Sequence, residues 1–497
     1  MISLQSIRRY PGSVFIVTFL ALLLSVTANA NPALQEALDN YQDSRFELAC
    51  KQFKTLAEMG FSTAQYNLGV MYLKGQAVEK DLAKAYAWMS LAGSTQAELG
   101  QGDASIYKQT AATVFNALPH ASSKTGATAQ AENLINNNSL HALAKRLSQT
   151  NPQPELSSPD FKVSKTRAPE YPDKARNYRL GGSVKTEFWV FPDGSVRLPA
   201  VVYGLPEKIF DESTLEAVKH FEIGWNRAAD QHRPTLFSQL IDYRAEKTGN
   251  SHLNPEIINH FNLIRERADE GDAYARYQIG IAHRYIDLSD SDEIKFWTYL
   301  LQSALQGVPE AQYIIGENLV KHWREDADQL AGILWIKLSA SGEFPATIYS
   351  LARSDYADDV RFIFDNVSRL DLIQQAAELY YPPAVIHYSM LMASATELPD
   401  IDQIVQAKES LQKITGWYRN EPYWHVAAGF VAAAEADFAA AIKHTQKAIR
   451  KAAALDWETD DFEQVLARFE QGERMILEPD TQSIELAQLL AATQGMD

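Results

Sequence analysis

The chain has 497 residues, 46% of them hydrophobic, and a formal net charge of −17. At about 150 residues per domain this length predicts roughly three domains, and so large an apolar share excludes a chain disordered throughout. The acids are spread along the sequence, which speaks for solubility and against nucleic acid or an anionic membrane surface as a partner. A lone cysteine, Cys50, leaves no intrachain disulfide.

Residues 1–30 read as a signal peptide. Arg8 and Arg9 supply a basic start, Val14 to Val26 an apolar run, and Ala28-Asn29-Ala30 a small-x-small cleavage site that leaves Asn31 as the new N-terminus. Cleavage removes two arginines and no acid, so the mature charge becomes 44 − 63 = −19. The apolar run is shorter than the ~20 residues of a spanning helix. Export to the periplasm is therefore expected, with an uncleaved inner-membrane anchor facing the periplasm as the alternative. Leu48-Ala49-Cys50 has the look of a lipoprotein site, but it follows Phe46-Glu47 rather than an apolar run, so Cys50 is expected on the buried face of a helix.

A helical block covers 31–118. Leu34, Leu38 and Tyr41 share one helical face, and Phe46, Ala49, Phe53 and Leu56 continue the pattern until Gly60. The next helix closes at Gly75 in the left-handed conformation, and Asp81 caps another whose inner face is Ala85, Trp88 and Ala92. The run Ala64-Gln-Tyr-Asn-Leu-Gly69, with Gly75, Val78, Asp81, Lys84-Ala85, Trp88 and Leu91-Ala92, resembles a Sel-one-like repeat, a relative of the tetratricopeptide repeat. Ala77 stands where that family's second loop glycine is usual.

Residues 119–160 shift to Ala, Ser, Thr, Asn and Gln and end in Pro152, Pro154 and Pro159. They predict a mostly flexible linker holding one helix near 129–148. Residues 161–246 differ from both flanks. Tyr171-Pro172 sets an extended start, and a short helix from Pro172 to Tyr178 stops at Gly181-Gly182. Val184, Thr186, Phe188 and Val190 then alternate with Lys185, Glu187, Trp189 and Phe191 as a strand with one face on a core. Pro192-Asp193-Gly194-Ser195 predicts a hairpin turn with positive φ at Gly194. Val196–Tyr203 returns, Asp211 caps a helix with Leu215 and Val218 inward, and residues 234–243 alternate again as a third strand.

Pro169, Tyr171-Pro172, Ala175, Gly182-x-Val184, Asp193-Gly194, Phe210-Asp211, Leu215, Ala217-Val218, Trp225 and Ala228 together resemble the C-terminal domain of TonB-type energy transducers. The resemblance implies binding of short extended peptides of outer-membrane receptors, the peptide adding a strand to the sheet edge. It places the candidate peptide-binding surface on the last strand, at Leu236, Ser238 and Leu240, beside Pro169, Tyr171 and Pro172. A purely structural role stands next to it: Tyr171 and Pro172 pin the domain's start, and a neighbouring repeat covers the edge. Three departures separate the chain from an energy transducer. Ala168 stands where glutamine is usual, residues 1–30 hold no histidine and look cleavable, and a long helical region follows the domain.

The helical pattern returns over 255–395. Gly271-Asp-Ala-Tyr-Ala275-Arg-Tyr277-Gln-Ile279-Gly280 is answered by Val308-Pro-Glu-Ala311-Gln-Tyr313-Ile-Ile315-Gly316, and Gly280 to Gly316 is 316 − 280 = 36 residues, a solenoid period. Trp335, Leu338, Ala340 and Gly342 close the second unit, and over 343–395 the repeat degenerates. Residues 396–497 read as tetratricopeptide-like helices: a hairpin at 421–455 with Gly429, Ala441 and Ala448 as its small positions, an amphipathic helix at 460–476, and a short capping helix from Pro479.

No catalytic constellation or phosphate-binding loop emerges. The histidines, His252 and His260 among them, lack metal-ligand spacing, and Asp287, Asp290 and Asp292 lack the glycine turn and distal glutamate of a calcium hand. No enzyme activity, cofactor or metal is expected. The expected fold class is α+β multidomain: α-solenoid helical-hairpin repeats flanking a small TonB C-terminal-like mixed α/β domain. The function that follows is a periplasmic protein–protein interaction scaffold of the cell envelope. The alternative is a TonB-family energy transducer or transport accessory protein anchored in the inner membrane. Partners are expected among envelope proteins, outer-membrane receptor peptides included, with membrane contact only if the N-terminal segment stays uncleaved.

Overall fold

The computed structural model describes residues 31–100, 104–149, 161–178, 180–225, 235–243, 255–285, 293–322, 326–353, 367–395 and 401–476. Residues 1–30, expected to be a signal peptide, and His252, Asp287, Asp290, Asp292 and the capping helix expected from Pro479 lie outside the described residues. The chain forms two compact units, Met1–Arg146 with Leu305–Gly307, and Leu147–Ala304 with Val308–Asp497. Among the described residues no helix is long and apolar enough to cross a membrane.

The first unit is helical: α1 (Pro32–Gln42), α2 (Phe46–Glu58), α3 (Ser62–Lys74), α4 (Leu82–Leu99), α5 (Ala104–Asn116), α6 (Ala121–Asn138) and α7 (Leu140–Ser148). The Asn31 side chain accepts from the Leu34 amide, with Pro32 at the first helical position of α1. Asp81 accepts from the Ala83 and Lys84 amides at the start of α4, as its position predicts. Gly75 closes α3 at φ 75°. α3 packs against both α2 and α4, so it is buried on nearly every side from Ser62 to Met71. Gly69 makes that fit: a Cβ there meets Met89 Cγ at 2.8 Å. Cys50 on α2 is half-buried, and burial pushes its thiol pKa up.

The stretch expected to be a mostly flexible linker is helical through α6 and α7, starting at Ala121 rather than near 129. Ala127 and Ala131, four residues apart, are buried where α6 packs on α4, and Leu140, Leu143 and Ala144 are buried on α7. Alanine carries the highest helix propensity. A narrow alanine stripe among polar residues suffices once a neighbouring helix covers it.

The second unit opens with a mixed module: β1 (Phe161–Lys165), α8 (Asp173–Tyr178), β2 (Gly182–Val190), β3 (Val196–Leu205), α9 (Asp211–Val218), β4 (Glu222–Trp225) and β5 (Thr235–Tyr243). β1 and β4 form an antiparallel pair, and the other strands a sheet of order β3-β2-β5. The β2–β3 turn has Gly194 at φ 80°, and a Cβ there meets the Ile223 carbonyl oxygen at 2.5 Å. β2 and β5 are antiparallel from Gly182↔Tyr243 to Val190↔Thr235. One sheet face packs on α8 and α9 through Val184, Phe188, Val190, Phe210 and Val218. Asp211, expected to cap α9, is instead its first helical residue. Phe210 holds the cap position without a side-chain bond, and burial pushes the Asp211 carboxyl up to about 6.

Helices make up the rest of the described residues: α10 (Pro255–Asp269), α11 (Ala273–Tyr285), α12 (Glu293–Leu305), α13 (Pro309–His322), α14 (Asp326–Ser341), α15 (Pro345–Arg353), α16 (Arg369–Glu378), α17 (Pro382–Ala393), α18 (Ile401–Lys413), α19 (Thr415–Tyr418), α20 (Pro422–Ala434), α21 (Phe438–Ala453) and α22 (Asp460–Glu470). The repeat is visible in its bonds. Arg276 Nε and Gln312 Nε2 each reach the carbonyl eight residues back, Ala268 at 2.9 Å and Ala304 at 3.0 Å. Ser303 and Ser339 donate to the Ala273 and Pro309 carbonyls, both at 2.7 Å. Gln65 makes the same bond to Ala57 in the first unit, at 3.1 Å. α22 ends earlier than 476 because Gly472, at φ 75°, turns the chain.

Candidate functional site

β2 is buried along all nine of its residues, so both sheet faces are covered. The expectation of one face on a core is thus exceeded. α11 packs on β2 and β3, and α17 on β3. The side chains on that second face are charged or amphipathic, and each buried charge meets a partner. Lys185, 1% exposed, lies 3.4 Å from Glu317 on α13. Tyr381, just before α17, donates its hydroxyl to Glu187 Oε1 at 2.5 Å. Tyr418 on α19 donates to the Pro199 carbonyl at 3.0 Å, and Tyr274 on α11 to Glu207.

Arg197 is the centre of this seam. It sits opposite Trp189 in the β2–β3 register and is 3% exposed. Its guanidinium donates to Asp193 Oδ2 at 2.7 Å, Ser195 Oγ at 2.8 Å and the Tyr423 hydroxyl at 3.2 Å. It also lies 4.1 Å from the centre of the Phe191 ring and 5.0 Å from that of Trp457. Burial raises the Asp193 pKa, but the Arg197 charge and the Ser195 hydrogen bonds outweigh it, leaving the carboxyl below its usual range. Glu421 beside this cluster is 1% exposed. Neither of its oxygens has a hydrogen-bond partner of good geometry. Burial pushes its pKa up to about 7, with Lys219, Arg197 and the nearby Leu198 and Tyr423 amides offsetting only part of the cost.

The six residues predicted for peptide binding fall into two groups. Leu236, Ser238 and Leu240 stand opposite Trp189, Glu187 and Lys185 on β2. Cross-strand partners share a face, so these three lie on the helix-covered side of the sheet, and each is half-buried. Pro169, Tyr171 and Pro172 belong to the other side. The Tyr171 hydroxyl donates to the Leu180 carbonyl, and its ring meets Phe210 edge-on at 5.8 Å and Tyr243 at 6.0 Å. Ser213 on α9 holds the Glu170 carbonyl, and Arg176 holds that of Tyr171 at 3.0 Å. The lead-in segment thus reaches the Tyr243 end of β5 and is wired into the module core. The structure does not gather the six into one cluster. Arg197, Tyr381, Tyr418 and Tyr423 went unremarked in the sequence. The available signal was Trp189 and Phe191 at positions that a solvated face leaves polar.

Among the described residues no group of three or more His, Cys, Asp or Glu side chains is placed to hold a metal.

Residues 167–244 match the family model of the Gram-negative bacterial TonB protein C-terminal domain, and residues 62–94 match that of the Sel1 repeat. No curated protein matches the chain. Two solved structures resemble it at low scores. A protective antigen of uropathogenic Escherichia coli strains displaying an SLR fold has a TM-score of 0.28 and 15% identity, over 93% of this chain and 84% of that one. A Sel1 repeat protein from Oxalobacter formigenes has a TM-score of 0.29 and 14% identity, over 91% and 94%. Neither likeness is close enough to bear on the fold or the function.

Proposed function

We propose that this protein is a protein–protein interaction scaffold of the Gram-negative cell envelope, exported to the periplasm, in which helical repeats hold a TonB C-terminal-like module that takes an extended peptide along β5. Sel1 repeats and TonB C-terminal domains both point to protein interaction. The observation that carries the reading is the uneven cover of the sheet. α11 and α17 take β2 and β3, while β5 ends the strand order. A peptide laid along β5 gains main-chain hydrogen bonds, and its side chains alternate between the two sheet faces. Ser238, Leu240 and Asp242 already have partners, so the peptide enters by exchange.

The reading is non-catalytic and calls for no cofactor. A membrane-anchored energy transducer fits less well, because a module whose second face carries buried charge contacts to its own helices is a poor candidate for swinging on a spacer. The test places a photo-crosslinking amino acid at Ser238 or Leu240 of the full chain and offers receptor-derived extended peptides. Capture at both positions, with none from a control at Lys54 on α2, is expected. Equal capture at all three, or none at β5, refutes strand addition. Mass of the periplasmic chain tests export: it should begin at Asn31.

A further inference from the structure

Five cations crowd one side of the last helical hairpin. Lys443, Lys447 and Lys451 stand four residues apart along α21, Arg450 flanks them, and Arg419 follows α19. Lys443, Arg450 and Arg419 are exposed, and Lys447 and Lys451 are half-buried. None of the five forms an ion pair among the described residues. Among the described residues Lys451 Nζ donates to a neutral amide, Asn420 Oδ1 at 3.1 Å. Two imidazoles, His425 and His444, lie between α20 and α21 with their Nδ1 atoms 3.3 Å apart. The crowding shows in their titration. Burial, His444, Lys451 and Lys447 push His425 down to about 4, while burial, Lys447 and Lys443 push His444 down. Burial and then Lys219, Lys447 and Arg419 hold the Lys451 ammonium below its usual range, the buried Glu421 carboxyl opposing them only in part. On a chain of net charge −17, such a concentration of like charge works against folding until an anion joins it.

We propose that this strip docks an extended acidic segment of a partner protein, with carboxylates at alternate positions meeting Lys443, Lys447 and Lys451. The spacing supports it. Residues four apart on a helix rise about 6 Å, and alternate residues of an extended chain advance about 6.7 Å. Three successive pairs therefore stay in step over the length of the strip. Charge decides between a peptide and a membrane. A peptide's few carboxylates meet the strip's own cations at short range, where attraction is strongest. An anionic bilayer carries its charge over a wide area and meets the long-range repulsion of a chain of net charge −17. The neighbouring lysines also repel a metal cation from the histidine pair. The proposal does not depend on the β5 reading.

The test is fluorescence anisotropy of the full chain with a labelled peptide alternating Glu and Thr. Binding that weakens from low to physiological salt is expected. Lys443→Glu with Lys447→Glu should weaken it about tenfold, whereas the two Lys→Arg changes should stay within about twofold. A peptide with the same acids in one block should bind several-fold more weakly. Circular dichroism checks the charge-reversed chain. If it has lost helix, the exposed Arg450→Glu replaces it, with about a threefold loss expected. Absence of binding, affinity indifferent to charge reversal, or sedimentation with phosphatidylglycerol vesicles while the peptide stays unbound overturns the proposal.

Discussion

Replacing Arg197 with Met keeps most of the side chain's length and removes the charge that the seam is built around. The guanidinium has three hydrogen-bonded partners, and the Asp193 side chain that it neutralises is only 11% exposed. Removing one partner of a buried ion pair leaves the other charge stranded and costs about 3–5 kcal/mol. Methionine restores some apolar contact with Phe191 and Trp457, so the low end, about 3 kcal/mol, is the expected loss. Adding Asp193→Asn removes the stranded charge and should return about 1–2 kcal/mol, a coupling that distant sites do not show. The assay is urea unfolding followed by tryptophan fluorescence, to which Trp457 at the seam contributes, and in parallel by circular dichroism. Arg197→Met should shift the unfolding of the second unit to lower urea and leave that of the first unit in place. A loss below about 1 kcal/mol, or a double variant no better than the single one, refutes the idea that the buried Arg197–Asp193 pair holds this cluster together.

Gly316→Ala should destabilise by about 1–3 kcal/mol, since its Cβ meets Ile336 Cγ1 at 2.7 Å and the Gly332 carbonyl at 2.9 Å. Gly126→Ala on α6, with no atom within 4 Å of the new Cβ, should stabilise by about 0.5–1 kcal/mol; thermal melts separate the two. Glu421 has its folded pKa raised, from 4.5 to about 7. Its contribution is therefore undiminished below pH 4.5, falls as pH rises through the folded value, and levels off above it. Glu421→Gln should consequently gain about 2–3 kcal/mol relative to the parent between pH 5 and pH 8, and a difference flat in pH counts against a buried acid there. His425 has the opposite sign, its folded pKa lowered from 6.5 to about 4. Its penalty grows as pH falls through that window, so His425→Gln should flatten the acid limb of the denaturation curve.

What could be read in advance is what is local. The repeats are legible because close helix approach needs a small residue at one fixed place, and Gly69, Gly280, Gly316 and Gly429 stand there in turn. The β2–β3 hairpin is legible because Asp193-Gly194 has few other uses. The second face of the sheet is not. Lys185 and Glu187 alternate with apolar residues as they do in any half-solvated strand. The groups that bury them come from far along the chain: Tyr381 lies 194 residues from Glu187, and Tyr423 lies 226 from Arg197. No local pattern encodes such a pairing. Trp189 and Phe191 were the exception, two large aromatics where water was expected. β1 is hidden for a related reason, since its partner β4 lies beyond the whole β2–β3 hairpin and α9.

The polarity of the seam bears on function more than its stability does. An apolar sheet face could settle on an apolar helix surface in several registers at similar energy. Here Lys185 requires Glu317, Glu187 requires the Tyr381 hydroxyl, and Arg197 requires Asp193 and Tyr423. Displacing the sheet along its helices separates Lys185 from Glu317 and Glu187 from the Tyr381 hydroxyl, and takes Arg197 from Tyr423 while Asp193 travels with it; two charges are left buried without partners, a cost of several kcal/mol apiece. One docking register is therefore selected, and with it the direction of β2 and of β5, which is paired to β2 over its full length. A module held this way presents its last strand as a fixed edge. On the proposed reading, a peptide that exchanges onto β5 meets a strand whose course is already fixed, so less of the ordering cost falls on the receptor.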